Sequence, residues 1–371
     1  MNAFYSELKQ AFVATFKAIA TDRAVLSVMV GAIVLYSFFY PLGYQQQVAA
    51  DQPIIVVDLD QSSLSRELIR DLESIHVLKI IAVVSQESTA VDAIRNMSIQ
   101  GYVVIPAGLE RDILSGIPGN VALFANGAWL GRSSSILSGM ADAITHFAQN
   151  MAVKQASFAG LGTQPPLTLV QRPLFNTREG YGSSVVTGVA ELIIQQTLLI
   201  GLAVLAGTRR ELYGRIFLTN TQMLGVSLAA VCLGVANMLY YSGFMFWYQD
   251  YPQHGNLGTV LFSSLLYISA IVAFGLFITS FFRTRERAYQ IIVVTSLPIF
   301  FLSNISWPAT STPSVLVWLA QIIPATSGIN LFIKVTQFGA HLDDALHEIV
   351  VLLLLIIGYG SLGWWRYRQR D

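Results

Sequence analysis

Charge is scarce in this chain. Only 12% of its 371 residues are Asp, Glu, Lys or Arg, about half the roughly 25% usual for a soluble globular domain. That scarcity excludes a soluble enzyme, a disordered protein and a long coiled coil. The 22 basic and 22 acidic residues cancel, so the basic excess that marks nucleic-acid binding is missing. A single cysteine, Cys232, excludes an intrachain disulfide and a thiolate zinc site. It lies in an apolar run and reads as a core or lipid-facing thiol. Catalytic signatures are missing as well. No G-x-x-x-x-G-K-[ST], H-E-x-x-H or G-x-S-x-G occurs, so the chain cannot cradle a nucleotide phosphate by itself and carries neither hydrolytic motif.

Apolar sequence is abundant instead: 54% of residues are hydrophobic and mean hydropathy is +0.56. Crossing roughly 30 Å of hydrocarbon takes about 20 apolar residues. Six stretches qualify, at about 24–42, 183–206, 220–247, 257–282, 289–302 and 349–365, the fifth being short and carrying Pro298. Lys9, Lys17 and Arg23 precede the first. Arg209, Arg210 and Arg215 follow the second, Arg283, Arg285 and Arg287 follow the fourth, and Arg366, Arg368 and Arg370 follow the last. The segment 248–256 has no Lys or Arg, and 303–348 has only Lys334. Positive-inside counting then predicts a multi-pass protein of a plasma (bacterial inner) membrane with both termini cytoplasmic. The sequence Val48-Ala49-Ala50 resembles a signal-peptidase site. The basic leader is long and the apolar stretch exceeds the usual 7 to 15 residues of a signal peptide, so an uncleaved anchor at 23–43 is expected. Ahead of it, Phe4, Leu8, Phe12, Phe16 and Ile19 form a stripe. Residues 1–22 therefore read as an amphipathic helix, on the cytoplasmic membrane surface or packed on a partner.

Residues 44–182 form the one long polar stretch. Strand patterns at 53–60, 77–84, 101–106 and 120–126 alternate with helical ones at 62–75, 88–99 and 108–116, and a long helical pattern runs from 130 to about 159. Alternation of this kind predicts an inserted extracytoplasmic α/β domain, and Pro165, Pro166 and Pro173 break the chain before the second span. Asp58 and Asp60 share a strand face, as a metal-binding D-x-D would. The simpler reading is a strand end passing to a helix capped at Ser62 or Ser63. His341, Asp344 and Glu348 share a helical face near His347 and could hold a metal, but no fourth ligand is evident and an exposed polar helix is the simpler reading.

Only Glu191 is a carboxylate well inside a span, about 12 Å from its outer end. A proton-coupled carrier usually has several such groups, and no inverted repeat is evident. Transport energy would therefore come from a partner. Glu191, Gln195 and Gln196 are candidates for a substrate path or subunit interface, with helix packing as the plain alternative.

Local motifs meet a known family here. The segments "VVDLDQSSLSRELIRDLES", "GYVVIPAGLERDILSG", "QRPLFNTREG" and above all "SNISWPATSTPSVLVWLAQIIPATSGINLFIKVTQFGAHLDD" resemble the type-2 ABC exporter permeases with a large domain between spans one and two. The resemblance covers essentially the whole chain. In the last segment Pro308, Pro313, Pro324, Thr326 and Gly339 fall where that family has its external hairpin. Physics agrees: the prolines forbid one continuous helix and 315–323 is too short to cross, so a re-entrant or interfacial helical element is expected, which the resemblance makes an external re-entrant element at about 304–326 within the five-helix domain 183–371. One departure stands out. The family's acidic-rich stretch after span two reads "AGTRRELYGRIFLTNTQMLG" here, keeping Gly207, Thr208 and Glu211 but not the charges before them, and Gly225 is followed by Val226 rather than lysine.

The resemblance implies a non-enzymatic permease that pairs with a second copy or a relative. Cytoplasmic P-loop ATPase subunits would bind ATP and Mg, and a periplasmic adaptor would dock outside. An amphipathic or hydrophobic substrate would be exported. Arg209, Arg210, Glu211 and Arg215, with Arg285, Glu286 and Arg287, are the expected ATPase-coupling residues, topology signalling being the plain alternative for the arginines. The competing class is a non-transporting receptor or secretion-accessory protein acting through its ectodomain, and a membrane-embedded enzyme is a distant third.

Overall fold

The computed structural model describes residues 2–44, 50–127, 130–158, 181–214 and 218–368. The chain divides into two compact units, 46–172 and the remainder (1–45 with 173–371).

The N-terminal helix α1 (Asn2–Thr21) ends at Asp22, whose carboxylate accepts hydrogen bonds from the N–H groups of Ala24 and Val25 and so caps the next helix, α2 (Arg23–Leu42). A capping Asp at this point turns the chain while supplying acceptors to otherwise unpaired N–H groups. Within α2, residues Ser27–Gly31 form a π-helical turn.

The inserted unit is a four-stranded mixed sheet. Its elements are β1 (Gln52–Asp58), α3 (Ser63–Glu73), β2 (Leu78–Val84), α4 (Glu87–Arg95), β3 (Gly101–Ile105), α5 (Leu109–Leu114), β4 (Ala122–Ala125) and α6 (Leu130–Phe158). The order is β2-β1-β3-β4, with β1 parallel to β2 and β3 and β4 antiparallel at the edge. As the central strand, β1 is buried on both faces, which explains its unbroken run of β-branched residues. Ile54 and Val56 pack with Leu68, Leu72, Ile136 and Met140, and Ile55 and Val57 pack with Ala90, Ile99 and Tyr102 on the other side. Gly101 permits the close approach of α6: a Cβ there would stand 2.7 Å from the Phe124 carbonyl oxygen and 3.1 Å from Ile136.

The two aspartates of the D-x-D pattern are committed to the backbone. Asp58 accepts from the N–H groups of Asp60 and Gln61 and from the Ser65 hydroxyl at 2.8 Å, while Asp60 accepts from the N–H groups of Gly108 and Glu110. Ser62 caps α3 through the Ser65 N–H. Asp58→Ala would strip three donors at a buried position. A loss of about 2 kcal/mol is expected, visible as faster amide exchange over residues 60–66 of the intact protein than over β1.

The other unit continues with α7 (Tyr181–Tyr213), α8 (Asn220–Tyr248), α9 (Leu257–Thr279), α10 (Arg285–Leu302), α11 (Ser314–Gln321), α12 (Pro324–Gln337) and α13 (Leu342–Arg368). Among the described residues five helices are long and apolar enough to cross a membrane, namely α2, α7, α8, α9 and α13. The count is up to six if the bent pair α11 and α12 is one span. The expected fifth span at 289–302 is not among these five. It belongs to α10, an 18-residue helix that opens with Arg285, Glu286 and Arg287. Its remaining 15 residues reach only about 22 Å, short of about 30 Å of hydrocarbon. The pair α11 and α12 bends by 86°. Ile323 caps the second arm with Pro324 at its first helical position, where a missing N–H costs nothing. The Ile322 carbonyl freed by the break accepts the Tyr359 hydroxyl at 2.9 Å. Pro308 and Pro313 likewise sit at the starts of short helices, and Trp307 and Trp318 are exposed.

Packing makes α7 and α9 the inner helices: 78% and 61% of their apolar windows are buried, against 28% or less for α2, α8 and α13. Small residues let the backbones close up. Gly234 faces Ile268, Gly275 faces Leu202, and Gly225 on α8 receives α1 at Leu8, Ala11 and Phe12. Thus α1 lies along a helix of its own chain, with Ala11 and the backbone of Leu8 and Phe12 at Gly225.

Candidate functional site

Two polar centres lie in the helical unit. The first is deep in the inner helices. Glu191, Gln195 and Gln196 of α7 are 2%, 0% and 8% exposed, so the chain's own helices cover all three. Tyr267 of α9 donates its hydroxyl to the Glu191 carbonyl oxygen at 3.1 Å. Among the described residues, Glu191 Oε2, both amide ends of Gln195 and Gln196, Tyr241 Oη, Ser263 Oγ and Thr326 Oγ1 have no hydrogen-bond partner. Buried polar atoms of this kind are usually satisfied by water or a ligand. Two π-helical turns flank this region, Ser27–Gly31 in α2 and Tyr240–Met245 in α8. Such turns release carbonyls from the helical ladder, and side chains collect them: Asn237 donates to the Met29 carbonyl at 2.9 Å, and Gln253 donates to that of Ser242.

The second centre stands at the end of the unit where the arginines gather. Arg285, at the start of α10, grips Asp22 with both guanidinium nitrogens at 2.7 and 3.0 Å and donates to Thr208 at 3.3 Å. Its own N–H donates to Glu211 at 2.8 Å. Gly207 makes this possible, because a Cβ there would lie 2.7 Å from the Arg285 Cα. Arg210 donates to the carbonyls of Ser280, at 2.7 Å, and Phe282, closing the end of α9. The Thr219 hydroxyl donates to Glu7 at 2.6 Å, tying α8 to α1. Burial pushes the Asp22 carboxyl up, but the Arg285 guanidinium and the N–H groups of Val25 and Ala24 outweigh it and hold the acid below its usual range.

Of the residues singled out by sequence, Arg210, Glu211 and Arg285 come together in this knot. Arg209 is exposed beside it, Glu286 and Arg287 face outward, and Arg215 lies outside the described residues, as does "QRPLFNTREG". Pro308, Pro313, Pro324 and Thr326 are at the bent pair. In the other candidate cluster, Glu348 pairs with Lys334 at 2.9 Å and Asp344 accepts the His341 N–H. Sequence reasoning missed Asp22, Tyr241, Ser263 and Tyr267. Only Asp22 left a legible signal, a capping residue immediately before an apolar helix.

Residues 23–365 match the family described as ABC-2 family transporter protein. A 124-residue stretch is 26% identical to the Escherichia coli K12 protein named as a probable multidrug ABC transporter permease, YbhR, over 33% of this chain and 34% of that one. A 108-residue stretch is 27% identical to ABC transporter G family member 20 of Dictyostelium discoideum, over 29% of this chain and 15% of that protein. The chain thus aligns with about a third of its Escherichia coli relative's length. With nearly its whole length, inner helices included, inside the family match, the chain belongs to the ABC-2 family of transporter proteins and is a multi-pass membrane permease.

Proposed function

We propose that this permease is the membrane subunit of an exporter that moves an amphipathic or hydrophobic substrate out of the cytoplasm or inner leaflet. ABC transporter permeases pair with ATPase subunits, and here the ATP and Mg are assigned to that partner, since this chain has no phosphate-binding loop. On this reading both termini are cytoplasmic, α10 is the fifth crossing, with its short apolar length met by local thinning of the bilayer and its charged first turn at the interface, the bent pair is re-entrant from outside and residues 44–182 are external. A second copy or relative completes the pore, and an adaptor is assigned to the external domain.

The observation that carries this reading is the knot around Arg285. It joins the α1–α2 corner, the end of α7 and the start of α10 in one set of charged hydrogen bonds, so a push on any of them is passed to the others. Glu286 and Arg287 are the outward members and offer the ATPase contact, with Arg209 and Arg215 on the adjoining connection after α7. Arg210, Glu211 and Arg285 transmit. Glu191, Gln195 and Gln196 become a substrate path or subunit interface when α7 parts from its neighbours.

Gentle purification of the tagged chain from its native membranes should recover a P-loop ATPase in stoichiometric amount. Reversing the outward charges with Glu286→Arg and Arg287→Glu should lower that recovery severalfold while leaving the thermal melt of the permease unchanged. Reproducible absence of any ATPase would favour the receptor or accessory reading and direct attention to residues 44–182.

A further inference from the structure

A cavity of about 970 Å³ opens beneath α1 at the arginine-rich end. Its composition divides sharply. Leu202, Leu205, Val226 and Leu276 from α7, α8 and α9 line one part, and Arg23 and Arg209 stand at another. The wall formed by α1 carries the small residues Ala11, Ala14 and Ala18 beside the polar Glu7, Gln10, Thr15 and Thr21, so α1 roofs the space instead of filling it.

The charges do not balance inside it. Of the two lining acids, Asp22 is held by Arg285 and Glu7 accepts the Thr219 hydroxyl. Arg23 and Arg209 have no carboxylate within ion-pair distance among the described residues. Small-molecule sites run to about 300–1,000 Å³, and a leucine-lined wall is a poor host for water. A chamber that is leucine-rich on one side and lined elsewhere by three arginines (Arg23, Arg209, Arg285) against two acids (Glu7, Asp22) suits an acyl chain bearing an anionic head, since guanidinium forks recognise carboxylate and phosphate oxygens.

We infer that this cavity binds an anionic acyl-chain lipid drawn from the surrounding leaflet, its head against Arg23 and Arg209 and its chain along Leu202, Leu205 and Leu276. The site deepens the exporter reading, on which its role as the place where cargo is collected rests. Binding itself does not require an ATPase.

The test uses the full chain in phosphatidylcholine nanodiscs and a phosphatidylglycerol probe with a photoactivatable diazirine in its acyl chain. Labelling should map to peptides containing residues 202–206 or 276, and unlabelled phosphatidylglycerol should compete far better than phosphatidylcholine. Arg23→Gln with Arg209→Gln should lower labelling there at least about fivefold. Ala14→Trp, which keeps both arginines but occupies the space, should abolish it. Labelling spread over the outer helices, or equal competition by both lipids on the unsubstituted protein, overturns the inference without needing any variant to fold. The two readings fail separately: an ATPase recovered without cavity labelling sinks the lipid site alone, and labelling without an ATPase leaves the site standing while removing its role in export.

Discussion

Gly328→Ala should lower the stability of the detergent-solubilised protein by about 2 kcal/mol or more. A Cβ at Gly328 would lie 2.2 Å from two ring atoms of Tyr267 and 2.7 Å from a third. The ring cannot yield, because Tyr267 is fully buried and its hydroxyl is tied to the Glu191 carbonyl oxygen. Overpacking of a filled interior costs about 1–3 kcal/mol and sometimes more, which outweighs the gain of about 1 kcal/mol from replacing a helical glycine by alanine. Gly358 is the matched control, with no atom within 4 Å of its added Cβ, so Gly358→Ala should leave the melting temperature unchanged or raise it. A double variant separates mechanism from coincidence. In a Tyr267→Leu background the added methyl has room, and the two effects should be markedly non-additive. Equal losses at Gly328 with and without the ring would mean that α12 does not press on α9 as described.

Arg285→Ala is expected to have the largest functional effect. It removes the bidentate grip on Asp22 and the bond to Thr208, and so cuts α10 from the α1–α2 corner. The pair is only partly shielded, with side chains 33% and 20% exposed, so screening limits the stability loss to about 1–2 kcal/mol. Substrate-stimulated ATP hydrolysis by the partner should fall further, on the order of tenfold, because in the coupling proposed above the break lies between contact surface and spans. An unchanged stimulation would remove the knot from the coupling route. The pH dependence has a definite sign. Asp22 is held below its ordinary value of 3.8, so its stabilising contribution is fully present above that value. It is lost as pH falls through the lowered, folded-state one. Melting curves of wild type and Asp22→Asn should therefore differ by a constant amount from pH 8 to pH 5 and converge only below about pH 4.

Much of the architecture was legible because it rests on local pattern. The run of β-branched residues at 54–57 announces a strand buried on both faces, and the alternation through 130 marks an α/β unit whose strands and helices fall within a few residues of expectation. The long apolar runs name five helices, since hydrocarbon thickness sets a length that composition either meets or does not. Pro308, Pro313 and Pro324 mark the broken segment for the same local reason: a ring without an N–H cannot continue a helix. The candidate residues were legible as types. Glu191, Gln195 and Gln196 stand out as polar groups in an apolar run, and Arg209, Arg210 and Glu211 as a charged cluster after it.

Which partners those residues take was decided only in three dimensions. Nothing in the spacing of Asp22 and Arg285 links them, yet they meet because Gly207 lets α10 approach the end of α7. The sequence of α1 did not say which helix it would lie on, and it packs on α8 because Gly225 admits Ala11 and the backbone of Leu8 and Phe12. The short apolar run at 289–302 became an 18-residue helix with a charged first turn because Arg285 is anchored at Asp22 and Glu211. Composition and period are properties of a segment and survive in the linear chain. Pairings between segments depend on which surfaces pack closely enough to exclude lipid and water, and that is a property of the folded helices alone.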